Sequence, residues 1–233
     1  MRAVTRRIAV ACLLAALWPG HARAKTHHLA PTGSDTAGDG SAAKPWQTFG
    51  HALTRLLPGD TLEVAAGTYK EQLQVATVAT GASPVVIRAA SGAKPVIDGG
   101  GTLPASADDG LVHVTGSHVT IQGLEIRNSR GSGIYVTSTA NTIADCAVHH
   151  NARPGINLFQ AQAATVRGSQ VHHNVLVNQS HTASSWDTGV ELYQSTGATV
   201  TGNTVYNNHG EGVAISRGKG NVARGNTVHD NWA

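Results

Sequence analysis

The chain has 233 residues with 17 Lys+Arg against 14 Asp+Glu, and four of the basic residues (Arg2, Arg6, Arg7, Arg23) sit in its first 24 positions. Without them the count is 13 against 14, a near-neutral balance that excludes nucleic-acid binding through a basic face. Aromatic residues make up only 4% while glycine reaches 27 residues, and no long helical pattern runs through the chain, which excludes a helical bundle and favours many short strands joined by turns.

In chain order, the first element is a targeting segment. The basic residues Arg2, Arg6 and Arg7 precede an apolar run, Ile8–Trp18, which Pro19-Gly20 breaks before the small-residue sequence Ala22-Arg23-Ala24. This is the layout of a secretory signal peptide over 1–24, cleaved before Lys25, and the run is too short for a membrane span. The expected product is secreted or periplasmic. It keeps one cysteine, Cys146, and therefore no internal disulfide.

Asp35 and Asp39-Gly40 lack the ligand spacing of a calcium loop and read as turn caps. The stretch "PWQTFGHALTRLL", Pro45–Leu57, places Trp46, Phe49, Leu53 and Leu56 at helical spacing. A lone amphipathic helix there would cap the open end of a repeat array, so residues 25–60 are expected to form an N-terminal cap segment. The strand "TLEVA" follows, and apolar pairs near Val85–Ile87 and Val96–Ile97 fit the first, less regular repeats.

Beyond them one phrase recurs. "VTIQGLEIRNS", "NTIADCAVHHN", "ATVRGSQVHHN", "ATVTGNTVYNN" and "NVARGNTVHDN" align on the anchors Ile121, Ile143, Val166, Val200 and Val222, spaced by 22, 23, 34 and 22 residues. A second phrase, "GIYVTS", "GINLFQ", "GVELYQ" and "GVAISR", sits between them. Short alternating strands at a period in the twenties signal a solenoid. Leucine-rich repeats share the period, but their leucine spacing is absent.

The expected fold is therefore all-β, a right-handed parallel β-helix over 61–233 with the capping helix ahead of it. Val112, Ile134, Ile156, Val190 and Val213 form one inward column, and Val114, Val136, Leu158, Leu192 and Ile215 another. Asn203 and Asn226, preceded by Ser169 and Cys146, form a turn column where left-handed backbone is expected. The last phrase stops at Trp232-Ala233, which reads as a fragment of a longer product.

The segment "PTGSDTAGDGSAAKPWQTFGHALTRLLPGDTLEVAAGTYKEQLQV" resembles the N-terminal module of secreted right-handed β-helix proteins of the pectin-lyase-like superfamily. Polysaccharide lyases acting on pectate, alginate or chondroitin are among the similar proteins. The resemblance implies fold strongly and reaction weakly, because β-helices also host epimerases, hydrolases and non-enzymes.

Such proteins work on the outward face of one strand ladder. The outward column here reads His113, Tyr135, Asn157, Glu191, Ala214, and the next reads Thr115, Thr137, Phe159, Tyr193, Ser216. Polar and aromatic groups in one groove suit a saccharide, while ordinary solvent-facing decoration is the plainer alternative. The extra residues of the 34-residue interval, Val177–Asp187, form a loop that brings His181, Trp186 and Asp187 beside Glu191.

Uronate elimination needs a neutralised carboxylate and a base. The resemblance implies a Lys or Arg base, for which Lys219 and Arg217 are candidates beside Glu191, although no family motif surrounds them. Asp187 and Glu191 are the candidate ligands for Ca²⁺, too few alone. Trp186, Tyr193, Asn157, Tyr135 and His181 are the candidate contacts to an acidic polysaccharide. A glycan-binding or scaffold protein without catalysis is the alternative function. The paired aspartates of a polygalacturonase-type hydrolase are missing, and "NHGEG" around His209 echoes that family only superficially.

Finally, His149, His172, Tyr206 and His229 fall in one outward column, with His150 and His173 beside two of them. Imidazoles about 5 Å apart can hold a transition metal, but a surface ladder produced by repeat copying is the default reading.

Overall fold

The computed structural model describes residues 24–180 and 186–232. Residues 1–23 of the expected signal peptide, 1–24, and His181 lie outside them.

Each coil of the chain passes through three parallel sheets in turn. Among the described residues the first sheet has eight strands, from Thr26–Leu29 to Val222–Arg224. The second has six, from Leu73–Val75 to Glu211–Ser216, and the third seven, from Gly67–Tyr69 to Thr227–His229. The chain is a right-handed parallel β-helix.

The inward columns close as the alternation requires. Val112, Ile134, Ile156, Val190 and Val213 are directly paired from coil to coil, as are Val114, Val136, Leu158, Leu192 and Ile215. Ile134, Val136, Ile156, Leu158, Val190 and Leu192 are completely buried. Each contributes about 1.5–3 kcal/mol of apolar burial, so the column of like residues is the main stabilising element.

The glycine that opens the second-sheet phrase is steric. A Cβ on Gly155 would lie 2.5 Å from Val171 Cγ1 and 2.7 Å from Asn174 Nδ2. Gly133 and Gly189 meet the equivalent valine and asparagine of their own coils. The strand must run that close to the third-sheet corner for the coil to shut.

Three expectations are corrected in detail. In the first sheet Val200 pairs with Ala223 and not Val222, which pairs with Thr199 and is 45% exposed. The last coil places alanine where the others place a branched residue, so the apolar pattern pointed one residue early. In the turn column, the left-handed residues are Asp145, Gly168, Gly202 and Gly225, with φ of 54°, 63°, 65° and 61°, each one before the ladder residue. Glycine takes the strained backbone in three of these coils and aspartate in the fourth, leaving Asn203 to accept from Ser169 N–H at 2.9 Å while its own N–H donates to Asn226 Oδ1 at 2.9 Å.

The third correction is the helix, which spans only Phe49–Leu53, capped by the Thr48 side chain. Trp46 is drawn out of it by a parallel bridge to Leu29 and stacks on His27 at 4.8 Å. Phe49 and Ala52 are fully buried, with Phe49 against the Tyr69 ring at 5.1 Å. Glu71 accepts from the Phe49 and Gly50 N–H groups at 3.0 and 3.2 Å, satisfying the helix start. Asp35 caps as expected, accepting from Gln47 N–H, Thr48 N–H and the Thr48 hydroxyl. The first sheet begins at Thr26–Leu29, upstream of the helix, because that strand pairs with Thr61–Val64.

A second asparagine ladder runs inside the third-sheet corner. Asn151, Asn174 and Asn208 are 0–1% exposed and are bonded in series, ending on Asn231. Each amide answers backbone groups that the turn leaves unpaired. Cys146 is buried and free, with its thiol pushed up to about 11 by burial, and is an inert core residue.

Candidate functional site

The second sheet carries most of the candidate residues on its outward face. Its strands are held flat by the buried columns behind them, so the residues between the inward pairs form a straight ladder: His113, Tyr135, Asn157, Glu191, Ala214. The aromatic groups pack along it. His113 and Tyr135 have ring centroids 5.2 Å apart, Tyr135 and Phe159 6.0 Å, and Phe159 and Tyr193 stack at 5.6 Å. The Arg217 guanidinium lies over the Tyr193 ring, 5.5 Å from its centroid.

Around the C-terminal half of the ladder opens a groove of about 650 Å³, lined by Trp186, Asp187, Glu191, Tyr193, Arg217 and Trp232 among others. A smaller hollow of about 210 Å³ continues past Asp187 to Arg153, Asn157, Tyr135 and Asp108. The candidates Trp186, Asp187, Glu191, Tyr193, Arg217, Asn157 and Tyr135 are thus brought into one continuous surface.

Lys219 is not among the residues lining either hollow. Its N–H donates to Ser195 O and its carbonyl accepts from Gly197 N–H in the turn leading to the first sheet. Arg217 is itself left-handed, with φ of 52°, and after it the chain turns off the groove.

Arg153 was not legible as a site residue, yet it organises the centre. Its guanidinium meets Asp187 at 2.9 Å and the exposed Asp108 at 3.3 Å. Trp232 and Asn178 also line the groove without strand alternation pointing to them. At the far end, His113 Nδ1 lies 2.7 Å from Asp109 Oδ1, and Gln72 Nε2–H donates to Asp109 Oδ2 at 2.9 Å.

Glu191 has the most perturbed carboxyl of the groove, raised from 4.5 to about 7. Burial is the largest cause, with the charges of Asp187 and Glu211 adding to it and Arg153 opposing it. Such a group exchanges a proton near neutrality. Asp187→Asn removes a like charge and should lower the Glu191 midpoint, as read by carboxyl NMR titration. An unchanged midpoint would leave burial and the Glu211 charge as the causes.

Asp187 and Glu191 alone do not make a Ca²⁺ shell. That ion takes 6–8 oxygens, whereas Asp187 already spends one oxygen on Arg153. Among the described residues no three His, Cys, Asp or Glu side chains converge on one point. The fixed positive charge at the centre of the ladder is the Arg153 guanidinium.

The profile of the Pel9A-like right-handed β-helix region matches residues 27–233. The chain belongs to the Pel9A-like β-helix family. Over 143 residues it is 27% identical to pectate lyase L of Paenibacillus polymyxa (strain SC2), covering 59% of this chain and 32% of that protein. It is 30% identical over 125 residues to the uncharacterized protein YwoF of Bacillus subtilis (strain 168), covering 50% of this chain and 26% of YwoF. The crystal structure of pectate lyase Pel9A superposes with a TM-score of 0.69 at 20% identity, over 84% of this chain and 51% of that one. The Pel9A-like chain therefore spans about a third or less of these two curated relatives. At that identity the structural likeness fixes the fold, and the groove's chemistry must be argued from its own residues.

Proposed function

We propose that the protein is an exported polysaccharide lyase that cleaves a uronate-containing glycan by β-elimination in the groove of the second sheet. The observation that carries this reading is Glu191, a carboxyl poised at about 7 in the middle of an aromatic ladder, with Arg153 and Arg217 beside it. Membership of the Pel9A-like family and the pectate lyases among the relatives support it.

The polymer lies across the coils, its sugar faces on Tyr135, Phe159 and Tyr193, with Trp186, which is 95% exposed, as a further stacking surface. A uronate carboxylate displaces the exposed Asp108 from Arg153 and is neutralised there, with Arg217 offering a second cation. The Glu191 carboxylate then takes the proton at C5. That electron pair forms the C4–C5 double bond, the C4–O bond breaks, and the departing oxygen takes a proton from solvent. No metal is needed for this sequence. Calcium would require Asp187 to leave Arg153 and the glycan and water to supply most of the shell.

Among the described residues no helix is long and apolar enough to cross a membrane. The signal-peptide layout of residues 1–24 supports a location outside the cytoplasm, where such a polymer is found. The rival reading, a glycan-binding β-helix without turnover, draws on Trp186 and the ladder alone.

Product mass tests the reaction class. At each cleaved bond, elimination leaves the fragment with the new unsaturated end lighter by one water than its hydrolysis counterpart. The base must be ionised, so the rate should rise with pH and level off above about 7, the Glu191 value. A rate that falls across that interval would assign Glu191 the role of acid and contradict the mechanism.

A further inference from the structure

The third sheet carries a separate arrangement on its outer face. In each coil its strand ends on an outward residue followed by one in left-handed backbone: His149–His150, His172–His173, Tyr206–Asn207 and His229–Asp230, the second of each having φ between 51° and 55°. A left-handed residue brings its side chain beside its predecessor's, where strand geometry would send the two to opposite faces. The imidazoles of the first two coils consequently meet nitrogen to nitrogen. His149 Nδ1 and His150 Nδ1 are 2.8 Å apart, and His172 Nδ1 and His173 Nδ1 2.9 Å. The coils stack these pairs nearly parallel, His149 on His172 at 4.9 Å and His150 on His173 at 5.2 Å.

We propose that this face is a binding site for a divalent transition ion of the copper(II) class, held by Nδ1 of His149 and His150 with water completing the shell. The bite selects the ion. At metal–nitrogen distances of about 2.0–2.1 Å, nitrogens 2.8 Å apart subtend about 90°, the cis angle of a square or tetragonal complex. A tetrahedral ion such as zinc needs them about 3.3 Å apart at the same bond length. One ion cannot serve both pairs, because trans nitrogens span only about 4.2 Å and the pairs lie farther apart.

The surroundings favour the first pair. Glu125 Oε1 sits 3.3 Å from His149 Nε2. That carboxylate accepts from His149 Nε2–H, which keeps the proton on Nε2 and leaves Nδ1 with a free lone pair, the outer-shell arrangement that orients metal-bound histidines. In the ion-free chain His150 Nδ1–H donates to His149 Nδ1; ion binding shifts that proton through solvent to His150 Nε2, so that both Nδ1 lone pairs face the ion. The neighbouring pair, His172 and His173, stacks directly on the first. A second ion there would lie about 5 Å from the first, and repulsion makes it bind at least tenfold more weakly.

The test is titration of the full chain, carrying no polyhistidine tag, with copper(II) chloride by calorimetry and electron paramagnetic resonance. One tight equivalent with two-imidazole hyperfine coupling is expected. Glu125→Gln should weaken it about tenfold. His150→Asn with His173→Asn should remove it, and this variant should keep its fold, because Asn128 and Asn207 already occupy that left-handed column with φ of 54° and 51°. An unchanged melting curve for the double variant checks this. Tight copper binding that survives in the folded double variant, or its absence from the parent chain, overturns the proposal.

Discussion

Glu191→Gln should lower turnover of an acidic polysaccharide by about 10²–10⁴-fold, the usual contribution of a general base, while leaving glycan affinity nearly unchanged. Glutamine keeps the size and the hydrogen-bonding shape of the side chain and cannot take a proton. The same substitution should stabilise the protein above neutral pH. The Glu191 carboxyl is raised from 4.5 to about 7 in the folded chain, so the folded state holds its proton more tightly than the unfolded state. Below about 4.5 both states are protonated and nothing is lost. As pH rises from there to about 7 this contribution disappears, and above 7 the folded chain carries a half-buried charge. Glutamine avoids that loss, which after allowance for partial exposure is on the order of 2 kcal/mol at pH 8. Thermal melting at pH 5 and pH 8 checks it. A variant that melts with the parent at both pH values would show that Glu191 is not perturbed, and intact turnover would remove it from the chemistry.

Asn174→Ala is expected to destabilise the fold by about 3 kcal/mol, more than most single substitutions. Asn174 is completely buried and bonded on every side. Its Nδ2–H donates to Val148 O at 3.0 Å and Asn208 Oδ1 at 2.9 Å, and its Oδ1 accepts from Asn151 Nδ2–H at 2.8 Å. Alanine strands those partners inside the buried corner. Asn207→Ala, one residue before the ladder on the exposed side, is the control and should cost only the left-handed backbone preference, about 1 kcal/mol. Urea denaturation compares the two. Equal losses would mean that the ladder adds nothing beyond turn geometry.

The inward columns were legible because two periodicities agree. Strand alternation and the coil repeat both place Ile134, Ile156 and Val190 inside, and their pairing is what closes the coil. Where one periodicity failed, so did the reading. Ala223 is too small to mark the inward position, and Val222 took its place in the pattern. The helix was overextended because Trp46 and Leu56 are buried at helical spacing for another reason: Trp46 is bridged to a strand.

The groove was half legible by the same logic. Glu191, Tyr193, Asn157 and Tyr135 follow from strand alternation, and Asp187 and Trp186 from the interruption in the repeat. Arg153 does not follow from either. It stands in a turn before Pro154, and its partners Asp187 and Asp108 are 34 and 45 residues away in the chain. Only the superposition of successive coils brings a turn residue over the strand ladder. Lys219 shows the converse, for it is close in sequence to the groove residue Arg217 and is carried off it by one left-handed residue.

The most direct measurement of the central claim is ultraviolet absorbance of unsaturated uronate during incubation of the full chain with pectate, alginate or chondroitin, each with and without chelator. Elimination driven by Glu191 and the arginines predicts a rise on at least one polymer that persists in chelator and is lost in Glu191→Gln. No rise on any of the three, with the polymers still bound, would contradict the lyase reading and leave a glycan-binding β-helix.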